Sequence, residues 1–309
     1  MCAGRDQDVR PRHVTAYRFG CIIHHSSALT SLDSPGFLRG CEWRQDRNGR
    51  PMSRLPWTVA GLLIANIAVF AAGFLLPNGS EQLVTAGALW YPANGNFGLW
   101  QMVSYMFLHA NLSHIFFNMF ALVSFGSILE REWGAARFLI FYFLCGVGAA
   151  LIQTGVNWEQ FRGLHDRLIA AGLTPANISS LLATGHGRLP PDPAVKAELF
   201  QLYGIYASPV LGASGAIYGL LVAFGFLHPN AKLGLMFVPV PIAAKFFIPG
   251  LLLFDLFSGF TGFSIFGASI AHFAHIGGAA IGFLLMLLWR HRDRGALGTE
   301  PNGLRPPMV

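Results

Sequence analysis

Six apolar stretches dominate this 309-residue chain, each long enough to cross about 30 Å of hydrocarbon. They fall at 57–76, 104–127, 137–156, 209–238 (with a break expected near Pro229), 243–260 and 267–289. Lipid offers no water to the main chain, so such segments fold as helices that satisfy their own hydrogen bonds. Only 12% of the residues are charged, against about 25% in ordinary soluble domains. The 53% hydrophobic content excludes a disordered chain. Twenty-seven Phe and 36 Gly, set against 15 acids, suit helices packed closely in lipid. The expected fold class is all-α: a polytopic membrane protein built as a six-transmembrane-helix bundle.

Charge placement orients that bundle. Nine Arg lie in residues 1–54, and Arg290, Arg292, Arg294 and Arg305 follow the last apolar run. Basic flanks mark the cytoplasmic side, and an even number of crossings puts both termini there, N-in and C-in. Residues 77–103 and 256–289 carry no Lys or Arg, whereas Arg131, Arg137, Lys232 and Lys245 flank the intervening connections. The alternation matches six crossings. Nucleic acid is not an expected partner, because no aromatic-basic module accompanies the Arg residues.

Three regions follow. Residues 1–56 are a cytoplasmic segment expected to be disordered, 57–289 the six-helix domain with an external insertion at 157–207, and 290–309 a cytoplasmic tail. Residues 1–51 lack the apolar core of a signal peptide, and five acids in the stretch argue against a mitochondrial transit peptide. Met52, followed by Ser53-Arg54-Leu55-Pro56, is the expected start of translation. Within the insertion, Leu164, Leu168, Ile169 and Leu173 recur near helical spacing. That pattern fits an amphipathic helix on the membrane surface or capping the bundle, and equally a solvated insertion. Cys2, Cys21, Cys41 and Cys145 show no metal-binding spacing.

Polar side chains inside membrane helices are costly and ask for an explanation. The second apolar run holds His109-Ala-Asn-Leu-Ser-His114-Ile-Phe-Phe-Asn118, with His114 and Asn118 on one helix face. The fourth opens with Gly212-Ala-Ser214-Gly215-Ala-Ile-Tyr218-Gly219, and the sixth contains His272-Phe-Ala-His275-Ile-Gly-Gly278-Ala-Ala-Ile-Gly282. Counted down helices from their expected starts, with Ser214 about 7–8 Å below Pro209 at 1.5 Å per residue, these groups share the outer half of the bilayer. Ser and His suggest an activated nucleophile with its general base, and Asn and His can donate to an oxyanion. Gly215 and Gly219 form one small face and Gly278 and Gly282 another, which lets two helices approach closely.

These motifs, in this order over residues 53–289, resemble the rhomboid intramembrane serine proteases, in their bacterial six-transmembrane type. Gly212-Ala-Ser214-Gly215 is similar to the nucleophile motif, Ala274-His275-Ile-Gly-Gly278 to the base motif, and His114-Ile-Phe-Phe-Asn118 to the HxxxN of the oxyanion site. Gly126-Ser-Ile-Leu-Glu130-Arg-Glu-Trp-Gly134 resembles the structural turn after the second helix. The resemblance implies a Ser214–His275 dyad, with His114, Asn118 and the Ser214 N–H as oxyanion donors and Tyr218 orienting the His275 ring. It implies a serine endopeptidase of the bacterial inner membrane that cuts transmembrane segments of other proteins near the outer face, without cofactor or metal. Asp255, near the outer end of the fifth run, stands at a depth compatible with a triad acid, but the resemblance implies a dyad with no acid, so it reads as a local cap or hydrogen-bonding group; Glu130 reads as structural. His272 reads as supporting the site or facing water.

Two departures stand out: Trp100-Gln101 where many relatives have Trp-Arg, and the long insertion. A second reading of the same residues is metal handling or transport through His109, His114, His272 and His275, since four imidazoles can hold Zn²⁺. It leaves Ser214 unexplained. A third is a non-catalytic rhomboid-like protein that binds membrane clients, against which the presence of both Ser214 and His275 stands.

Overall fold

The computed structural model describes residues 55–185, 189–235, 238–262 and 271–297, together with a short antiparallel pairing of β1 (Ala16–Arg18) and β2 (Cys21–Ile23). The expectations for Met52, and for most of 1–56 and of 290–309, lie outside the described residues.

The first apolar run forms α1 (Trp57–Leu75), followed by the short α2 (Gly79–Gly87). The second run is divided. α3 (Gln101–Ser104) and a 3₁₀ turn (Tyr105–Phe107) precede the break, and α4 (Leu112–Ala121) begins after it. Asn111 makes that restart, its side chain accepting from the His114 N–H at 2.9 Å as a helix N-cap does. α4 then passes through a π-helical turn (Leu122–Gly126) into α5 (Ser127–Trp133), giving one continuous span, Leu112–Trp133. The expected helix over 104–127 therefore starts eight residues late and ends six residues late.

Glu130 explains how the first helix begins. Pro56 leaves the start of α1 without a side-chain cap, and the Glu130 carboxylate accepts from the Thr58 and Val59 N–H groups at 3.0 and 2.8 Å. A buried carboxylate at a helix N-terminus satisfies unpaired donors and opposes the positive end of the dipole. Glu130→Ala is expected to cost roughly 1.5–3 kcal/mol, the range for hydrogen bonds to a charged group. Equilibrium unfolding in detergent checks this.

The third run is far longer than the expected 137–156. α6 (Ala135–Ala170) continues for 36 residues, and α7 (Pro175–Thr184) and α8 (Pro193–Ala207) follow. The 157–207 segment is thus mainly helical. Leu164 and Leu168 close against Ile178, Leu181, Leu199 and Leu202 in a small core of their own, with Ile169 and Leu173 at its edge. The periodic apolar stripe exists to face those two helices.

The fourth run departs most from expectation. Residues 208–213 form a non-helical segment, and the helix α9 spans only Ser214–Leu227. Leu89 and Val210 exchange main-chain hydrogen bonds at 2.8 and 2.9 Å, and the Gly212 N–H donates to the Tyr105 carbonyl at 2.9 Å. Past His228 and Pro229 the chain turns into an antiparallel hairpin of β3 (Lys232–Leu235) and β4 (Val238–Ala243). Helix over 209–238 is corrected to 14 residues. Apolar extended chain and apolar helix share one composition, and their main-chain partners decide between them. The bundle closes with α10 (Ala244–Thr261) and α11 (His272–Leu297).

Among the described residues, five spans are long and apolar enough to cross a membrane: Trp57–Leu75, Leu112–Trp133, Ala135–Ala170, Ala244–Thr261 and His272–Arg290. α9, with 14 residues, is shorter and lies at the centre, with Gly215, Ala216, Gly219, Leu220 and Ala223 all buried. Apolar side chains such as Ile64, Leu151, Phe257 and Leu288 remain exposed around the outside, as lipid-facing positions must be.

Candidate active site

Glycine brings the central helices together. A Cβ added to Gly215 would lie 2.6 Å from the Ala149 Cβ, and one on Gly282 2.8 Å from the Gly219 Cα. At Gly278 an added Cβ would overlap the Gly215 carbonyl outright. α9 and α11 therefore touch backbone to backbone, the approach that small-xxx-small faces permit, and α6 packs on α9 through the small Ala149 side chain.

That approach sets the main contact. Ser214 is the first residue of α9 and His275 the fourth of α11. The Ser214 Oγ and His275 Nε2 are 2.8 Å apart. Tyr218, one turn below Ser214, stacks on the His275 ring with centroids 4.2 Å apart and planes within 10°. Counting helical rise from Pro209 does not measure the depth of Ser214, because a non-helical segment leads to it at the head of α9.

His114 comes from the first turn of α4. Gly212 has φ +128°, a conformation side chains rarely adopt, and a Cβ there would come within 2.8 Å of His114 Nε2 and 3.7 Å of Ser214 Oγ. Glycine is required on both counts. The Ala110 N–H donates to His114 Nδ1 at 3.4 Å. That places the ring proton on Nε2, beside the loop that carries Ser214. Asn118 lies one turn further along α4 and is buried.

Asp255 corrects the sequence reading. It does not cap its own helix. Its Oδ1 accepts from His272 Nδ1 at 2.6 Å and faces His275 Nδ1 at 3.2 Å, while Oδ2 accepts from the Tyr218 hydroxyl. One lone acid within an apolar run, near the depth of the Ser and His motifs, was the available signal. Its partners lie on α9 and α11 and are invisible to local pattern.

The four imidazoles of the metal reading do not form one cluster. His109 packs edge-on to His114, centroids 5.0 Å apart, while His272 and His275 belong to Asp255. Among the described residues, Asp255, His272 and His275 are the one trio of metal-type donors within 4.8 Å of one another. Hydrogen bonds within the trio already account for both Nδ1 atoms.

Gln101 anchors the loop that precedes the site. Fully buried, it accepts from the Trp90 N–H at 3.3 Å and donates to the Asn96 and Ala86 carbonyls at 2.7 and 3.3 Å. The Trp100 indole N–H adds a bond to Ala86 O at 2.8 Å. The same loop grips the 157–207 helices, with Tyr91 stacked on Phe161 at 4.5 Å and Asn94 Nδ2 donating to Tyr206 O at 2.8 Å. Gln101→Ala is expected to leave these buried groups unpaired, at roughly 1–3 kcal/mol. Faster hydrogen exchange at the Trp90 N–H would register it.

A family model described as the rhomboid domain matches residues 96–292. The chain belongs to the rhomboid family. It is similar to Rhomboid-like protease 3 of Toxoplasma gondii, 33% identical over 96 residues covering 31% of this chain and 36% of that protein. RHOMBOID-like protein 12, mitochondrial, of Arabidopsis thaliana is 28% identical over 226 residues, 72% of this chain and 55% of that protein. Rhomboid protease AarA of Providencia stuartii is 24% identical over 207 residues, 56% of this chain and 73% of that protein. The chain thus spans between about a third and about half the length of the first two. This rhomboid is a multi-pass integral membrane protein of an intramembrane protease family. Relatives named mitochondrial are among the matches, so the expected bacterial inner membrane finds no support in them.

Proposed function

We propose that this rhomboid is a serine endopeptidase that hydrolyses transmembrane segments of other membrane proteins. The observation that carries the reading is the 2.8 Å contact between Ser214 Oγ and His275 Nε2, made across 61 residues of sequence at the heads of two helices. In the proposed reaction the Ser214 proton passes to His275 Nε2 as Oγ bonds to the substrate carbonyl carbon. The oxyanion is met by the His114 Nε2–H, the Asn118 amide and the Ser214 main-chain N–H. His275 then returns the proton to the leaving amine as the C–N bond breaks, and water releases the acyl group from Ser214 by the same route in reverse.

Substrate class follows from where this chemistry sits. Carbonyls of an intact helix are hydrogen-bonded and shielded, so a substrate must unwind before Oγ can reach one. Segments with Gly, Pro or other small residues near the end level with Ser214 are the proposed substrates. Placement of that end outward, with both termini in the cytoplasm, rests on the Arg distribution.

The test is a proteoliposome assay with a reporter transmembrane segment, combined with fluorophosphonate labelling. Cleavage and covalent labelling at Ser214, both abolished in Ser214→Ala, are expected. Wild type that neither cleaves nor labels, or a Ser214→Ala protein that cleaves like wild type, overturns the proposal.

A further inference from the structure

The family resemblance implies a dyad, yet a carboxylate stands behind the histidine. We infer that Asp255 is a positioning residue for His275, so that the reaction proposed above, on which this inference rests, uses a Ser–His pair oriented by an acid.

Three groups converge on one carboxylate: His272 Nδ1 and His275 Nδ1 at Oδ1, and the Tyr218 hydroxyl at Oδ2. Tyr218 can donate, and a carboxylate without a proton can only accept. Each imidazole facing it therefore presents an N–H, which puts the proton of neutral His275 on Nδ1. The opposite nitrogen, Nε2, is left with its lone pair directed at Ser214 Oγ, 2.8 Å away. That tautomer is the one a general base needs, and fixing it is what the acid does in a serine triad. The other ring orientation or tautomer would present an N–H to the hydroxyl and block proton removal.

The surroundings hold the carboxylate for this role. Asp255 is 4% exposed, and at the site end of α10 it reaches across to α9 and α11. His272 binds Oδ1 more closely than His275 does, 2.6 against 3.2 Å, and Tyr218 secures Oδ2. The carboxylate is thus pinned by the Tyr218 and His272 side chains while it steers the His275 ring that meets Ser214 Oγ. Tyr218 acts twice, stacking on the His275 ring and clamping the acid behind it. When His275 takes the Ser214 proton at Nε2, its Nδ1–H remains in place and the negative Oδ1 faces the cation. No proton need reach Asp255.

The experiment compares wild type, Asp255→Asn, Asp255→Glu and Ser214→Ala in proteoliposomes. It reads kcat, KM and the fluorophosphonate labelling rate at Ser214. In Asp255→Asn the amide can donate to Nδ1 and favour the wrong tautomer. The expected result is a fall of roughly 10²-fold in kcat and in labelling rate, within the span attributed to a positioned general base, with KM within about twofold. Asp255→Glu is expected to recover part of both rates. A second measurement needs no variant: ¹⁵N-histidine NMR of wild type is expected to show His275 protonated at Nδ1 and not at Nε2. An Nε2–H tautomer overturns the inference. So does Asp255→Asn that labels and cleaves within twofold of wild type while Ser214→Ala does neither, an outcome that leaves the protease reading standing. Wild type that neither labels nor cleaves overturns both.

Discussion

Ser214→Ala is expected to lower kcat on a reporter segment by on the order of 10⁶, the scale seen when a serine nucleophile is deleted. KM should change little, because the methyl group removes no contact made with the rest of the substrate. His275→Ala should cost a similar factor. The two should not add, since a base without a nucleophile, or a nucleophile without its base, performs no attack. The double variant is therefore expected to match either single one, which a product assay sensitive to slow turnover can measure. A double variant far below both singles would mean that Ser214 and His275, despite their 2.8 Å contact, act in separate steps.

Gly278→Ala should be the most damaging substitution outside the reacting groups. Its new Cβ falls on the Gly215 carbonyl, a backbone atom with no rotamer to escape into. α11 must move away from α9, and overpacking of this kind costs about 1–3 kcal/mol. The effect on catalysis should be larger. Ser214 lies beside Gly215 and His275 one turn from Gly278, so parting the helices stretches the Oγ–Nε2 contact directly. Displacements of about 1 Å can cost 10²-fold in rate, and at least that loss in kcat is expected. Gly155→Ala is the control, since a Cβ there meets nothing within 4 Å, and its activity and melting temperature should stay near wild type.

Much of this fold is legible in one dimension. Continuous apolar runs near 57–76 and 243–260 correspond closely to α1 and α10, because hydropathy and length are what a lipid-crossing helix requires. The run at 209–238 is where that signal fails. Val210 is as apolar in an extended pairing with Leu89 as it would be in a helix, and only its main-chain partner distinguishes the two. The stripe at Leu164 and Leu168 announced a buried face without saying what covers it, because Ile178, Leu181, Leu199 and Leu202 arrive from helices further along. Gln101 could be seen only as a departure from a common pattern, until the loop carbonyls around it were placed.

By itself the sequence determined the solvent and the chemistry available: apolar runs that must be helical in lipid, and a few Ser, His, Asn and Asp residues kept there despite their cost. Tertiary structure alone decided which of these meet. Hydropathy and spacing are local quantities, whereas a hydrogen bond across 61 residues depends on helix separation set by the contact of Gly215 with Gly278 and of Gly219 with Gly282. For the same reason Asp255, an isolated charge to be explained in the sequence, became the residue behind His275 only when α9, α10 and α11 were packed together.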